Sequence, residues 1–458
     1  MLKKINIGSF VKNNIVEPAK KLKNSLRTVA VLSLGAASLT ACKKDLNSGS
    51  DSFGNRSTSA DYNATIVSRP VVVVSGDITT AVHWTAANTY EINGVVTVRG
   101  GGSLEIDPGT FIKSSVNPTG TGAPANGVLV IATDGTIDAE GTPTNPIVFT
   151  SRYELDGLAS PLPKPGDFGG IIILGDARVN TATGTNNIEG LPATDPRFIY
   201  GGTDNLDNRG KFRYVRIEYA GFQLAANIEV NGLTLGGVGS LTQVNNVEVA
   251  WGLDDGFEFF GGTVSTSDLV ALSNDDDQFD FDLGYQGTLA NSFAIANKTS
   301  THSASSGASD SNGAEIDNNP ATFTASPVTH PIFSNVRIVG TQDLSGITAP
   351  GFKNGITVRR GAELELFDSK VTGYNIGLRI DANATAANTL VGTSSVFGFV
   401  SAVSAASGTI TDDGGNTFPP AAATAPGFSI STQPFYNVAG FVAPTSYSWA
   451  KYVYPVVP

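Results

Sequence analysis

Short runs of strand-forming residues, alternating inward and outward positions, recur along this chain behind the same two-residue turn. Asn-Gly or Asp-Gly at 93–94, 126–127, 231–232, 255–256, 312–313 and 354–355 leads into Val95-Val96-Thr97-Val98, Val128-Leu129-Val130, Leu233-Thr234-Leu235, Phe257-Glu258-Phe259, Ala314-Glu315-Ile316 and Ile356-Thr357-Val358. Two copies vary: Asp277-Gln278-Phe279-Asp280-Phe281 has Gln for Gly, and Ile376-Gly377-Leu378-Arg379-Ile380 has Ile for Asn. From Gly232 onward the copies follow at steps of 22 to 42 residues. That spacing is the mark of a solenoid, in which each unit buries its apolar face against the next.

A second phrase alternates with the first: Val215-Arg216-Ile217, Val247-Glu248-Val249, Leu269-Val270-Ala271, Phe293-Ala294-Ile295, Val336-Arg337-Ile338 and Ser369-Lys370-Val371. Each unit is therefore a closed coil carrying at least two strands. Leu104-Glu105-Ile106, Ile147-Val148-Phe149 and Leu364-Glu365-Leu366 suggest a third strand type. Successive crossovers between parallel strands wind right-handed. The prediction is an all-β chain, a right-handed parallel β-helix over 66–410, with 411–458 as a C-terminal cap or tail. The longest steps carry Ser/Thr/Gly/Ala-rich inserts at 299–311 and 341–352, as exposed loops do. The Asn of the repeat is expected to form a structural ladder, because Asn tolerates the left-handed turn and stacked amides can pair from coil to coil.

Stacking turns sparse signals into columns. Asp254-Asp255-Gly256-Phe257-Glu258-Phe259 aligns over Asp276-Asp277-Gln278-Phe279-Asp280-Phe281 at an offset of 22. The four Phe residues should then stack inside, while Glu258, Asp280 and Glu315 form an outward column beside Asp282 and Asp317. Arg359 and Arg379 extend this face at its far end. Neighbouring strands lie about 4.8 Å apart. Like charges at that distance repel by about 1 kcal/mol in water and about 3 to 4 at an effective dielectric of 20. Such a row invites a hard cation, and Ca²⁺ takes six to eight oxygens. One or two Ca²⁺ ions are expected near Asp254, Asp255, Asp276 and Asp277, with Glu258, Asp280, Asp282, Glu315, Asp317, Arg359 and Arg379 as the ligand face. The plainer alternative is a set of solvated turn acids.

The N-terminal region carries Lys20, Lys21, Lys23 and Arg27, then the apolar stretch 28–41, then Cys42, the single cysteine of the chain. This order reads as a secretory signal (1–41) too short to span a bilayer. Leu39-Thr40-Ala41-Cys42 looks like a lipobox, which makes Cys42 the lipidated first residue of the mature protein. The Ser/Asn/Asp-rich 42–65 reads as a flexible tether. Residues 1–42 hold seven basic side chains and one acid, so their removal takes the net charge from −12 to −18. A polyanion of this kind is a poor partner for nucleic acid. His83, His302 and His330 lie in separate segments with no ligand or triad spacing.

The segments Gly166-Asp167-Phe168-Gly169-Gly170, Ile188-Glu189-Gly190, Tyr200-Gly201-Gly202, Tyr214-Val215-Arg216-Ile217-Glu218-Tyr219-Ala220-Gly221 and Asp254-Asp255-Gly256-Phe257-Glu258-Phe259-Phe260-Gly261-Gly262 resemble a family of outer-membrane lipoproteins. That family is found in leptospires and widely in Bacteroidota. The resemblance covers about 90–390, with Phe168 where a Trp is expected. It implies a β-helix on the cell envelope, traffic with TonB-dependent transporters and no established catalytic residues. The reading at this point is a non-catalytic binding or structural lipoprotein of the outer membrane, on the cell surface, taking a glycan, a cation or a transporter partner. A β-helical polysaccharide lyase or hydrolase, and an adhesin or scaffold, are the alternatives.

Overall fold

A computed structural model describes residues 64–115, 126–158, 161–225, 228–296, 304–305, 308–340, 353–384, 388–406, 410–419 and 449–450. The predicted signal, Cys42 and nearly all of the tether lie outside the described residues, as do the whole 341–352 insert and residues 299–303 and 306–307 of the other. The described chain is a right-handed parallel β-helix whose strands run from Val71 to Asp412.

Three strand columns build it. The first sheet holds the Asn-Gly strands, stacked in parallel from Val95–Val98 through Leu233–Gly236, Phe257–Phe260, Phe279–Asp282 and Ala314–Asp317 to Ile376–Ile380. The second sheet holds the interleaved phrase, from Thr89–Ile92 through Val215–Glu218 and Val270–Leu272 to Ser395–Val396. The third includes Ala81–Trp84, Ser103–Ile106 and Glu365–Phe367. Ile147–Thr150 belongs to the second sheet rather than the third, since it pairs with Val215–Ile217. Its apolar content looks like the third type, but register decides the sheet.

Alternation sends every second side chain into a continuous core. Phe257 stacks on Phe279 at 5.4 Å between ring centroids, and Phe259 on Phe281 at 4.6 Å. All four are fully buried. Stacked rings supply the core energetics that a cysteine-free repeat needs.

The Asn-Gly turn works differently from the expectation. Apart from Gly94, the Asn, Asp and Gly of the repeat are not left-handed. One set of left-handed residues stands between the third and second sheets, at Tyr214, Asn246, Asp268, Asn291, Asn335, Asp368 and Thr393, and another follows the second-sheet strands, at Tyr219, Trp251 and Ser273. In the repeat itself the glycine is required by space. A Cβ on Gly355 would lie 2.3 Å from Val371 Cγ1 and 2.5 Å from the Gly377 carbonyl oxygen, and Gly232, Gly256 and Gly313 are equally tight. The preceding Asn or Asp does form a ladder, through the backbone of the next coil. Asn231 Oδ1 accepts from the Asp255 N–H at 3.2 Å, Asp255 Oδ1 from Asp277 at 2.8 Å, Asp277 Oδ1 from Asn312 at 2.5 Å, and Asn312 Oδ1 from Asn354 at 3.3 Å. A carboxylate accepts as well as an amide oxygen, which is why Asp is tolerated there.

Two outer faces are covered. The excursion 175–209 leaves the first sheet after Leu174 and folds back over it. Val179, Ile188, Leu191, Phe198 and Tyr200 pack with outward residues of that sheet, including Val130, Ile172 and Phe260. The second sheet's outer face joins Trp251, Leu272, Ile295 and Val339 with Trp449, which stands edge-on to Tyr214 at 6.2 Å. Trp449 therefore rests against the side of the solenoid, and Thr411–Asp412 still continues the third sheet below Leu390–Val391. Residues 420–448 of the expected cap lie outside the described residues.

Candidate functional site

The first sheet carries the acidic row in the predicted register. Glu258 faces Asp280, Asp280 faces Glu315, Glu315 faces Thr357 and Thr357 faces Arg379. Phe260 faces Asp282, and Asp317 faces Arg359. Asp254, Asp255, Asp276 and Asp277 occupy the turns that lead into these strands.

One expectation is overturned. These carboxylates point away from the core, yet they do not lie on an open face. Glu258 and Glu315 are 5 % exposed and Asp317 3 %. The excursion 175–209, which sequence alternation could not reveal, lies beside Glu258, while Asn312 and Arg359 close on Glu315, and Arg359 and Arg360 on Asp317. Segment 176–180 of the excursion runs across the coils as a strap. The Ala177 N–H donates to Gly237 O at 2.8 Å, Arg178 O accepts from the Gly262 N–H at 2.8 Å, and the Asn180 N–H donates to Leu283 O at 2.9 Å. Asn180 Nδ2 then reaches Asn318 Oδ1 at 2.7 Å and Pro327 O at 2.9 Å. Tyr200 covers Phe260 with centroids 6.0 Å apart. Partial exposure remains at Asp254, Asp276, Asp280 and Asp282, and Glu189 of the excursion stands exposed at the rim.

Amides and guanidiniums partner part of the row. Asn231 Nδ2 donates to Glu258 Oε2 and, at 3.3 Å, to Glu189 Oε1. Asn312 Nδ2 donates to Asp277 Oδ1 at 2.9 Å and Glu315 Oε2 at 3.2 Å. At the far end Arg359 binds Glu315 through Nη2 and Asp317 Oδ1 through Nε at 2.7 Å, while Arg360 Nη1 binds Asp317 Oδ2 at 2.6 Å. Arg359 thus reaches back one coil, into contact with the acid that faces Asp280, closer than its place in the repeat suggested. Arg379 keeps its register but pairs with Asp381 at 2.6 Å and stays outside the acidic row. Sequence reasoning gave no role to Glu189 or Arg360. Glu189 lies in the Ile188-Glu189-Gly190 segment, whose place over the first sheet depends on the excursion's path.

Burial and crowding disturb the acids strongly. Burial drives Asp255 well above the usual range, with Asp254 and Asp276 adding to it. Burial and then Glu189 do the same to Glu258. Asp277 is raised by burial and by Asp276, against the bonds from Asn312. Asp280 is pushed up to about 6 by burial, with Arg359 pulling back. Asp282 is pushed up to about 8 by burial and by Asp280. At Asp317 burial and Asp280 raise the carboxyl against the pull of Arg360.

The acids form three overlapping oxygen clusters: Asp254/Asp255/Asp276, Asp255/Glu258/Asp280 and Asp277/Asp280/Glu315. In each, the oxygens lie within 4.8 Å of one another. Two oxygens about 2.4 Å from a shared Ca²⁺ stand at most about 4.8 Å apart, so the spacing suits that ion. Asp280 Oδ1 is buried and meets no hydrogen-bond donor among the described residues. The four turn acids divide: Asp254, Asp255 and Asp276 share one cluster, while Asp277 joins the strand acids Asp280 and Glu315.

A separate cluster sits on the third sheet. His83 faces Glu105 in register, and its Nε2 lies 2.8 Å from Asp107 Oδ1. Sequence spacing hid this contact, because the 22 to 24 residues separating the histidine from its acids span one coil.

A solenoid of stacked parallel coils with three strands to the turn defines the class of parallel β-helix proteins. The chain belongs to the pectate-lyase-like β-helix domain family, whose family model matches residues 76–422. No curated protein and no solved structure matches it.

Proposed function

We propose that this protein is a lipid-anchored component of the bacterial outer membrane whose acidic row holds Ca²⁺, and that it binds or scaffolds rather than cleaves. Supporting the anchor are the basic N-terminal region, the apolar stretch and the lone Cys42 in Leu-Thr-Ala-Cys. The observation that carries the non-catalytic reading is the burial of Glu258, Glu315 and Asp317 within the row. A lyase must bring a uronate ring against its metal and base. Here three of the strand carboxylates are withdrawn from solvent, and Arg359 is tied to Glu315 and Asp317. A glycan or an outer-membrane transporter is the partner class this reading favours, with the exposed rim at Glu189 as its point of approach.

Bound calcium would be held by Asp254, Asp255 and Asp276 at one end and by Asp277, Asp280 and Glu315 at the other. It would supply positive charge that ties three coils together. A calcium-dependent lyase is the second reading. It is favoured by the contact of Arg359 with Glu315, which places a cationic side chain beside one carboxylate cluster.

Calorimetry with Ca²⁺ on chelator-stripped protein, together with an assay for unsaturated uronate products, separates the two. Binding heat and a raised melting temperature without products support the binding role. Products formed in calcium would establish the lyase, and silence toward calcium would remove the metal. Loss of labelled palmitate incorporation in Cys42→Ala cells tests the anchor.

A further inference from the structure

The His83 cluster lies on a different sheet from the acidic row and has donors of a different kind. Strand alternation turns Trp84 and Ile106 into the core and leaves His83, Glu105 and Asp107 on the outer surface. Their backbone is held in place. Ala81–Trp84 and Ser103–Ile106 pair in parallel, and the Asp107 N–H donates to Trp84 O at 2.9 Å. Trp84 itself is buried and stacked on Tyr90 at 4.7 Å. Three donors on such a frame need only side-chain rotation to converge.

We propose that His83, Glu105 and Asp107 form a surface site for a divalent transition-metal ion of the Zn²⁺ class. Imidazole selects zinc-like ions over Ca²⁺, and two carboxylates balance the charge. The three ligand atoms lie within 4.8 Å of one another. Ligands about 2.0 to 2.2 Å from Zn²⁺ in a tetrahedron stand about 3.4 Å apart. The His83 Nε2 to Asp107 distance of 2.8 Å and the Nε2 to Glu105 distance of 4.0 Å bracket that value. Asp138 faces Glu105 one coil on, with Lys211 3.9 Å from its carboxylate, so the charge at the site comes from Glu105 and Asp107. Solvent reaches all three ligands, so water completes the shell and the ion exchanges freely.

The test titrates Zn²⁺ into chelator-stripped protein held in saturating Ca²⁺, which occupies the acidic row if that row is a calcium site. One Zn²⁺ per chain is expected, with His83→Ala and Glu105→Gln each weakening it at least about tenfold. His330→Ala removes the imidazole near Glu363 and Glu365 and should leave the affinity unchanged. His83 is exposed, so its variant should melt with the parent, which a thermal scan verifies. Unchanged Zn²⁺ affinity in His83→Ala, loss of binding in His330→Ala alone, or no binding by the parent would overturn the site. Repeating the titration in Asp280→Asn, which breaks two of the three clusters in the acidic row, separates Zn²⁺ held there from Zn²⁺ at His83 whether or not calcium binds.

Discussion

Asp280→Asn is the most informative single change, because Asp280 belongs to two of the three oxygen clusters. In chelated protein its carboxyl is pushed from the usual 3.8 up to about 6, chiefly by burial. A rise of about two units corresponds to roughly 3 kcal/mol against ionising it in the folded state. The direction of the pH effect follows. A raised folded value means the contribution to stability is intact below about pH 4, fades as pH climbs toward 6 and is gone above it. Asparagine keeps the shape, removes the charge and turns one acceptor atom into a donor among the carboxylates of Asp255, Glu258 and Glu315. The variant should therefore stabilise chelated protein by up to about 3 kcal/mol at pH 8 and leave it unchanged at pH 4. Asp282 and Asp317, both raised by Asp280, gain as well. With Ca²⁺ present the sign reverses, since a ligand shared by two clusters is lost. Urea unfolding at both pH values, with chelator and with calcium, measures all four cases. Destabilisation of the chelated variant at pH 8, or equal calcium stabilisation of variant and parent, would refute the reasoning.

Gly355→Ala should destabilise by about 3 kcal/mol or more, because its Cβ would meet the Gly377 carbonyl as well as Val371; urea midpoints check this. Phe259→Ala should cost about 3 to 5 kcal/mol, leaving a hole between coils where Phe281 and Tyr285 now touch it. Arg359→Met leaves Glu315 with the Asn312 amide and Asp317 with Arg360, an expected loss of about 3 kcal/mol in chelator, and added calcium should recover part of it. Asn180→Ala removes the side-chain bonds that end the strap, about 1 to 3 kcal/mol, and hydrogen exchange should quicken at Asn318 and Thr329.

How much of the site was legible depends on what carried the information. The pairs Phe257/Phe279 and Glu258/Asp280 follow from an offset of 22 and strand alternation, and the register contains them as read. The same logic aligned Glu315 and Arg379 across inserts of very different length. It could not show that Arg359 turns back to Glu315 while Arg379 turns to Asp381, because rotamer choice depends on the nearest opposite charge. Nor could it find His83 beside Asp107, since Leu104-Glu105-Ile106 reads as a strand but Ala81–Trp84 carries no matching phrase to set against it.

By itself the amino-acid order determined the coil, the stacking direction and which side chains leave the core. Those properties are local or repeat with the period of the coil, and period survives in one dimension. Tertiary structure alone decided that Glu258, Glu315 and Asp317 are buried although they leave the core. The segment 175–209 has no repeat, and its contact with Phe260, Leu283 and Asn318 depends on where an irregular loop lands in space. Burial turns a row of ordinary surface acids into one that holds protons or demands a cation, so the chemistry of this face was set in part by the non-repeating part of the chain.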